Sequence, residues 1–333
     1  MKIVVLVDDE AFPEEDPNLE GKTEEICSQM EFHIAEALRF QGHTVDVVAF
    51  TPNLEATIAQ LRAAEPDLVF NLTEHVGGDR SKDVHVTALL DLMGFPYTGS
   101  GPLGLMLCRD KALCKRLLSH HRVKIPDFAT LPVGTTRLTR KLTYPLIVKP
   151  TLEDGSDGIS LASLVQNPDE LEQRARAIHE RMHQSVICEE YIDGREIYVG
   201  VIGNKRLTAL PARELRFGGN GEGGPRFATA MVKRNDAYRQ KWGITYTHAD
   251  LSDQLQERAA RISKQVFRLL HICDYGRIDL RITEEGEMVF LEANANPDLS
   301  LGDEVAESWE KAGGDYQQLV ARIAHLAVQR TRG

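Results

Sequence analysis

The chain has 333 residues, 42% hydrophobic and 27% charged, enough apolar material for about two core-bearing domains and too much for a disordered chain. Its 39 Lys+Arg against 50 Asp+Glu leave a net charge of −11. That argues against a broad basic face for gripping nucleic acid or an anionic membrane, while leaving room for local cations that hold a small anion. No apolar run reaches the ~18–20 residues of a membrane span. The cysteines (Cys27, Cys108, Cys114, Cys188, Cys273) are scattered and never form a CxxC pair. A disulfide framework and a thiolate zinc site are therefore not expected, and a reducing cytoplasm fits.

Residues 3–7 form a continuous apolar run, too short for a secretory h-region and predicted as a strand covered on both faces. A helix is predicted from Thr23, with Glu24 and Glu25 in its first turn, Ile26, Met30, Ile34 and Leu38 in steps of four, and Gly42 closing it. A strand at 45–50, a helix at 54–64, a strand at 68–72 and a helix at 84–93 continue the alternation. Strands separated by helices of this length imply βαβ units and a parallel sheet. Pro96, Gly99, Gly101 and Pro102 break the pattern, so the first domain, Rossmann-like α/β, is predicted to span 1–102.

A helix at 103–120 leads into closer-spaced strands at 145–149, 159–162, 186–192 and 197–203, with a helix at 169–182. Strands joined through turns change the class from α/β to α+β, and a central lobe is placed at 103–188 with a C-terminal lobe at 189–333. Gly218, Gly219, Gly221, Gly223 and Gly224 crowd one stretch, which cannot be a regular element and is expected to be mobile unless a ligand orders it. A helix at 252–273, a strand at 276–282, a turn at 284–286, a strand at 288–293 and a helix at 316–328 complete the chain.

The densest chemistry lies between Gly276 and Pro297. Alternation puts Arg277, Asp279 and Arg281 on one face of the first strand, and Phe290, Glu292 and Asn294 on one face of the second. A hairpin would join these faces, so that Asp279, Glu292 and Asn294 form an all-oxygen cluster beside Arg277, suited to Mg²⁺ bound with substrate phosphates. The alternative is a solvated hairpin with its charges outward. A second feature ends an apolar strand in Lys149-Pro150 and follows it with a loop holding Gly155, Ser156 and Gly158. A lysine facing glycine-loop N–H groups makes an anion site, although the order is not that of a P-loop and a plain hairpin would also account for it. A third feature is the run Glu189-Glu190-Tyr191-Ile192 followed by Glu196. Acids inside a buried strand cost several kcal/mol unless they are paired or lead to a ligand; a sheet edge facing water is the other reading. Lys111 and Lys233 would each be surface lysines if taken alone.

In this order, the Lys-Pro with its glycine loop, Glu-Glu-Tyr-Ile-x-Gly-Arg-Glu, and Gly-Arg-Ile-Asp-x-Arg…Leu-Glu-Ala-Asn resemble ATP-grasp enzymes, and most closely D-alanine–D-alanine ligases. Val69-Phe70-Asn71-Leu72 with His75, and Gly94-Phe95-Pro96-Tyr97-Thr98-Gly99-Ser100, are similar to the matching stretches of those ligases. The resemblance runs from about Pro66 to Leu319. It implies a two-lobed ATP-grasp fold behind the N-terminal domain. In that fold Lys111 and Lys149 contact ATP phosphates, Ser156 covers them, and Glu189, Glu190, Tyr191 and Ile192 form the adenine hinge. Glu196 would hold the ribose, and Phe290 joins the nucleotide-contacting set. Lys233 would reach the γ-phosphate, Asp279, Glu292 and Asn294 would bind two Mg²⁺ (or Mn²⁺), and Arg277 would stabilise the transferring group, with Ser156 and Lys233 sharing in catalysis. The glycine-rich stretch before Lys233 is the candidate lid.

The implied activity is a carboxylate–amine ligase that forms a peptide or amide bond through an acylphosphate and releases ADP and phosphate. Its partners would be ATP and small amino acids or peptides, with a homodimer as the family's common assembly. Two departures stand out. The family opens with Gly-Gly-x-Ser-x-Glu, where this chain has Asp8-Asp9-Glu10 and an acidic insertion (Glu14, Glu15, Asp16, Glu20). Beyond the metal Asn the family continues Thr-x-Pro-Gly-Met-Thr and then Ser-Leu, where this chain reads Ala295 to Asp303. Acids at both amino-acid subsites would suit a cationic or amine-bearing substrate. The alternatives are a ligase of the same fold acting on other amino acids or small peptides in specialised metabolism, and a non-catalytic ATP-binding regulator. An acid–thiol ligase lacks any CoA-binding module here, and a nicotinamide dehydrogenase lacks its GxGxxG.

Overall fold

A computed structural model describes residues 1–9, 30–153, 155–218 and 224–332. The predicted helix start at Thr23, the acidic insertion at 14–20, Cys27, and Gly219, Gly221 and Gly223 of the candidate lid lie outside the described residues. Strand β1 (Lys2–Asp8) is followed by α1 (Met30–Phe40), β2 (Thr44–Phe50), α2 (Leu54–Ala64), β3 (Leu68–Asn71) and α3 (Asp83–Met93). The three strands form a parallel sheet in the order β2-β1-β3. Because parallel neighbours require crossovers, the intervening helices cover both faces. Ile3, Val5 and Val7 face one core with Ile34 and Leu38 of α1, while Val4 and Leu6 face another with Leu61, Val86 and Leu90.

The helix predicted at 103–120 is two helices, α4 (Pro102–Arg109) and α5 (Lys111–His120). Asp110 separates them: its Oδ1 accepts from Ala112 N at 3.0 Å and Leu113 N at 2.9 Å, which satisfies two otherwise unpaired donors at the start of a new helix. Lys111 thereby becomes the first residue of α5. The central sheet contains β4 (Phe128–Leu131), β5 (Leu146–Pro150), β6 (Leu164–Val165) and, after α6 (Pro168–Met182), β7 (Val186–Glu190), in the antiparallel order β4-β7-β5-β6. No strand forms at 159–162. A short 3₁₀ turn occupies 161–163, with Ser160 N bonded to Ser163 Oγ at 3.1 Å, and pairing begins only at Leu164, five residues after the expected start. The predicted lobe division at 188/189 cuts through β7; the chain leaves the central sheet after Glu190 and enters the next at Arg195.

The C-terminal lobe is built from β8 (Arg195–Gly203), β9 (Leu207–Ala209), β10 (Arg213–Arg216), α7 (Ala230–Arg234), α8 (Asp236–Trp242), β11 (Thr245–His248), α9 (Asp253–Leu269), β12 (Tyr275–Ile282), β13 (Met288–Asn294), α10 (Glu304–Lys311) and α11 (Tyr316–Arg332). Its antiparallel sheet runs β11-β10-β8-β12-β13, with β9 on β8. Ile197, Val199, Ile278 and Leu280 pack against Val266 and Phe267 of α9. Helix α11, assigned by sequence to the C-terminal lobe, instead returns to the first sheet, where Leu319, Ile323 and Ala327 share a core with Ile3, Val5 and Leu38. A buried carboxylate rivets the parts together: Asp274 accepts from Gly99 N at 2.9 Å and Asn204 Nδ2 at 2.8 Å and faces Arg330 at 3.4 Å. Among the described residues no helix is long and apolar enough to cross a membrane.

Candidate active site

The site lies where the central and C-terminal sheets face each other, with the β12–β13 hairpin as its wall. Strand β12 is central in its sheet, paired with β8 and β13. Its Arg277, Asp279 and Arg281 are all less than a tenth exposed. Arg277 donates to Asp279 through Nε at 2.9 Å and Nη2 at 3.1 Å, and to Glu304 Oε2 through Nη1 at 3.2 Å. Its guanidinium also stacks 5.2 Å from the Tyr198 ring centre. Burial, only partly offset by Arg277, pushes the Asp279 carboxyl up to about 6.

Pairing across the hairpin sets Asp279 opposite Glu292 and Arg277 opposite Asn294, and Asn294 Nδ2 lies 3.3 Å from Asp279 Oδ2. A β-bulge then interrupts the ladder, so that Leu280 faces Phe290 and Leu291 is the extra residue. The predicted shared face of Phe290, Glu292 and Asn294 is corrected by this bulge. Phe290 turns into the core, 1% exposed, with Leu280 and Met288, while Leu291 and Glu292 line the cavity.

Glu292 is straddled by lysines from two directions. Lys111 Nζ stands 3.9 Å from its Oε2 and Lys233 Nζ 3.9 Å from its Oε1. Burial alone would raise this carboxyl, but Lys111, Lys233 and Lys149 reverse the effect and hold it well below the usual carboxylate range. Lys111 also donates to the Glu153 carbonyl. Lys149, near the end of β5, pairs with Glu189 Oε2 at 3.2 Å. Ser156 has left-handed backbone (φ 63°) between Gly155 and Gly158, which are left-handed too, and its Oγ donates to Ala228 O at 3.4 Å.

The segment from Glu189 to Glu196 turns from one sheet to the other. The Glu189 carboxylate points at lysines, and Glu190 Oε1 accepts from Thr143 N at 2.6 Å. The Ile192 carbonyl accepts from Arg281 Nη1 at 2.9 Å. Tyr191 packs its ring 6.5 Å from that of Phe227 with the Arg281 guanidinium 5.5 Å from its centre. Glu196 is buried in an ion pair with Arg281 and accepts from Tyr198 OH at 2.8 Å. Residue type and position did not mark Ile147, Ile159, Phe227 and Leu291, the apolar walls of this pocket. Their signal is tertiary, because they come from β5, β13 and two separate loops.

Two cavities meet at Lys233. The smaller one, about 80 Å³, lies between Lys149, Ser156, Tyr191, Glu196, Asp279 and Glu292. A second cavity of about 430 Å³ lies further along the same face of the hairpin, lined by Arg80, Arg213, Arg277, Asn294, Asp303 and Glu304 among others. Asp303 caps α10, and burial and the neighbouring Glu304 push its carboxyl up to about 9. Burial raises Glu304 as well, but Arg277 and a hydrogen bond from Asp303 outweigh it and leave that carboxyl at about 2. Among the described residues no three His, Cys, Asp or Glu side chains gather as a metal cage. Asp279, Glu292 and Asn294 still offer hard oxygen atoms: Asp279 Oδ1 keeps a lone pair beyond its bond to Arg277, while Oδ2 accepts from both Arg277 and Asn294. One or two carboxylates completed by substrate phosphates is how Mg²⁺ is usually held, so the donor set fits that ion.

Residues 124–325 match the family model described as the D-ala D-ala ligase C-terminus. Over 314 residues the chain is 32% identical to an uncharacterised protein of Sinorhizobium fredii, covering 90% of this chain and 88% of that one. It is 29% identical over 291 residues to a D-alanine–D-alanine ligase of Aquifex aeolicus, covering 87% of this chain and 91% of the relative. The fold is shared with the crystal structure of a D-alanine–D-alanine ligase from Bacillus anthracis complexed with ATP, at a TM-score of 0.74 and 20% identity over 100% of this chain and 99% of that one.

Proposed function

Because the chain belongs to the D-alanine–D-alanine ligase family, ATP-dependent C–N ligases of the ATP-grasp fold, we propose that it joins a small amino acid to an amine through an acylphosphate. One observation carries the reading: lysines of α5 and α7 converge on Glu292, which faces Asp279 across the hairpin. A carboxylate is a poor electrophile because its leaving group would be oxide. Transfer of the γ-phosphoryl of ATP to the carboxylate breaks the bond to ADP and forms an acylphosphate. The amine then attacks the carbonyl carbon, the bond to phosphate breaks, and the nitrogen gives up a proton.

Catalysis of such transfers is positioning and charge neutralisation. Lys111, Lys149 and Lys233 would bind the nucleotide's phosphate oxygens, and Tyr191, Phe227, Leu291 and Ile147 would enclose its base. Glu196, fixed by Arg281, would hold the ribose. Asp279, Glu292 and Asn294 would hold Mg²⁺, which when bound neutralises charge on the transferring oxygens. Arg277, fixed by Asp279 and Glu304, borders the 430 Å³ cavity, where the acid and the amine would meet. D-Alanine is one candidate for both. Arg80, Arg213 and Arg239 stand on that wall beside Asp298, so it offers charge of both signs, to a carboxylate and to an amine. ATP supply places the reaction in the cytoplasm.

The test is ADP release with Mg²⁺-ATP across a panel of D- and L-amino acids. Amino-acid-stimulated ADP supports ligation. AMP release, or no nucleotide turnover with any pair, contradicts it. Glu292→Gln should abolish turnover, and retained activity would refute the metal assignment.

A further inference from the structure

Lys115 lies one turn after Lys111 on α5, and its side chain is 1% exposed. Its Nζ stands 3.4 Å from Glu189 Oε1, donates to the Leu291 carbonyl and sits 5.1 Å from the Phe290 ring centre. The partners come from two sheets: Glu189 from β7 of the central lobe, Leu291 and Phe290 from the bulged β13 of the C-terminal lobe. Taking an ammonium out of water carries a large desolvation penalty, and an apolar side chain of similar volume would fill the same space without it. A charge retained there needs a role beyond packing.

Counting charges supplies one. Lys149, which lines the nucleotide-side pocket, is held by Glu189 Oε2 at 3.2 Å. Glu189 and Lys149 alone would form a neutral pair, whose field fades quickly with distance. Glu189 Oε1 makes no hydrogen bond, and the charge in front of it is Lys115. With both lysines the trio carries one net positive charge. Lys115 also takes up a carbonyl at the bulge, where a residue stands outside the regular ladder.

We propose that Lys115 is a positioning residue of the nucleotide site: it neutralises Glu189 from behind, so that Lys149 presents an uncancelled charge to phosphate, and it pins the bulge that sets Glu292 opposite Asp279. This rests on the reading of the inter-lobe pocket as a nucleotide site and deepens it. One unit charge several Å from a phosphate, at an effective dielectric near that of a protein surface, changes affinity by about ten- to fiftyfold.

The test is a calorimetric titration of the full chain with Mg²⁺-ATP. Lys115→Met should bind about ten- to fiftyfold more weakly than wild type. Glu189→Gln should bind more tightly than wild type, and Lys115→Met/Glu189→Gln, which restores the net charge, should return to within about threefold. Melting temperatures are recorded alongside. A merely structural lysine would leave the double variant, lacking both charges, as weak as Lys115→Met. That outcome, or equal affinity of Lys115→Met and wild type, overturns the proposal. Should Lys115→Met alone not fold, the double variant against Glu189→Gln reads the same charge, and equal affinity of those two overturns it. A folded wild-type chain that binds no Mg²⁺-ATP overturns the nucleotide reading instead, which keeps the two failures apart.

Discussion

Arg277→Met removes the cation on which two buried acids depend. The guanidinium makes two bonds to Asp279, at 2.9 and 3.1 Å, and one to Glu304 at 3.2 Å, in a setting where Asp279 is 2% exposed. Breaking a buried pair by removing one partner costs about 3–5 kcal/mol, because the other charge stays behind unpaired. Here two are left, so the upper end applies at pH 8, a fall in melting temperature on the order of 10 °C. The loss must depend on pH. Asp279 is already raised to about 6 from a usual 3.8 with its partner present, so its ionisation weakens the wild-type fold as pH rises through that interval and has no further effect above it. Without Arg277 the folded value climbs higher, and the variant keeps losing stability above pH 6, by up to about 1.4 kcal/mol per pH unit. Calorimetric melting of both proteins at pH 5, 6, 7 and 8 reads the difference. It should be smallest at pH 5 and widen to pH 8. A gap that is the same at all four values, or below about 1 kcal/mol throughout, would show that Arg277 is not the counter-charge of a buried cluster.

Asp303 and Glu304 titrate at about 9 and about 2, so near neutrality the folded pair keeps one proton that the unfolded chain releases. Stability should therefore fall from pH 5 to pH 8, by up to about 1.4 kcal/mol per unit, and Asp303→Asn should flatten that slope in melting scans; an unchanged slope contradicts the shared proton. Gly104 sits inside α4, where alanine normally gains about 1 kcal/mol, yet a Cβ there would stand 2.7 Å from the His271 carbonyl oxygen. Gly104→Ala should lower the melting temperature, since overpacking against backbone costs about 1–3 kcal/mol, and a more stable variant would refute the close approach of α4 to residue 271.

The first sheet was legible because a strand buried on both faces is apolar without alternation, as at 3–7, and because helix periods separate its strands. Lys111, Lys149, Lys233, Asp279, Glu292 and Asn294, singled out by type and order, come together in space. Where reading failed, the deciding interaction was local but unseen, or distant. A period of two counts residues, and the bulge at Leu291 adds one without changing composition, so Phe290 was put on the wrong face. The break at Asp110 carried a legible signal, an acid just before a new turn, overshadowed by apolar spacing that continued across it. Lys115 and α11 gave none: one is defined by partners 74 and 176 residues away, the other by a sheet built from the opposite end of the chain.

The central claim is that the substrate carboxylate takes the phosphoryl group before nitrogen attacks. Turnover of an amino acid carrying ¹⁸O in its carboxylate, followed by mass analysis of the products, reads this directly. One labelled oxygen should appear in inorganic phosphate for each amide bond formed, with ADP unlabelled. Label in AMP, or phosphate free of label while product accumulates, would contradict the account.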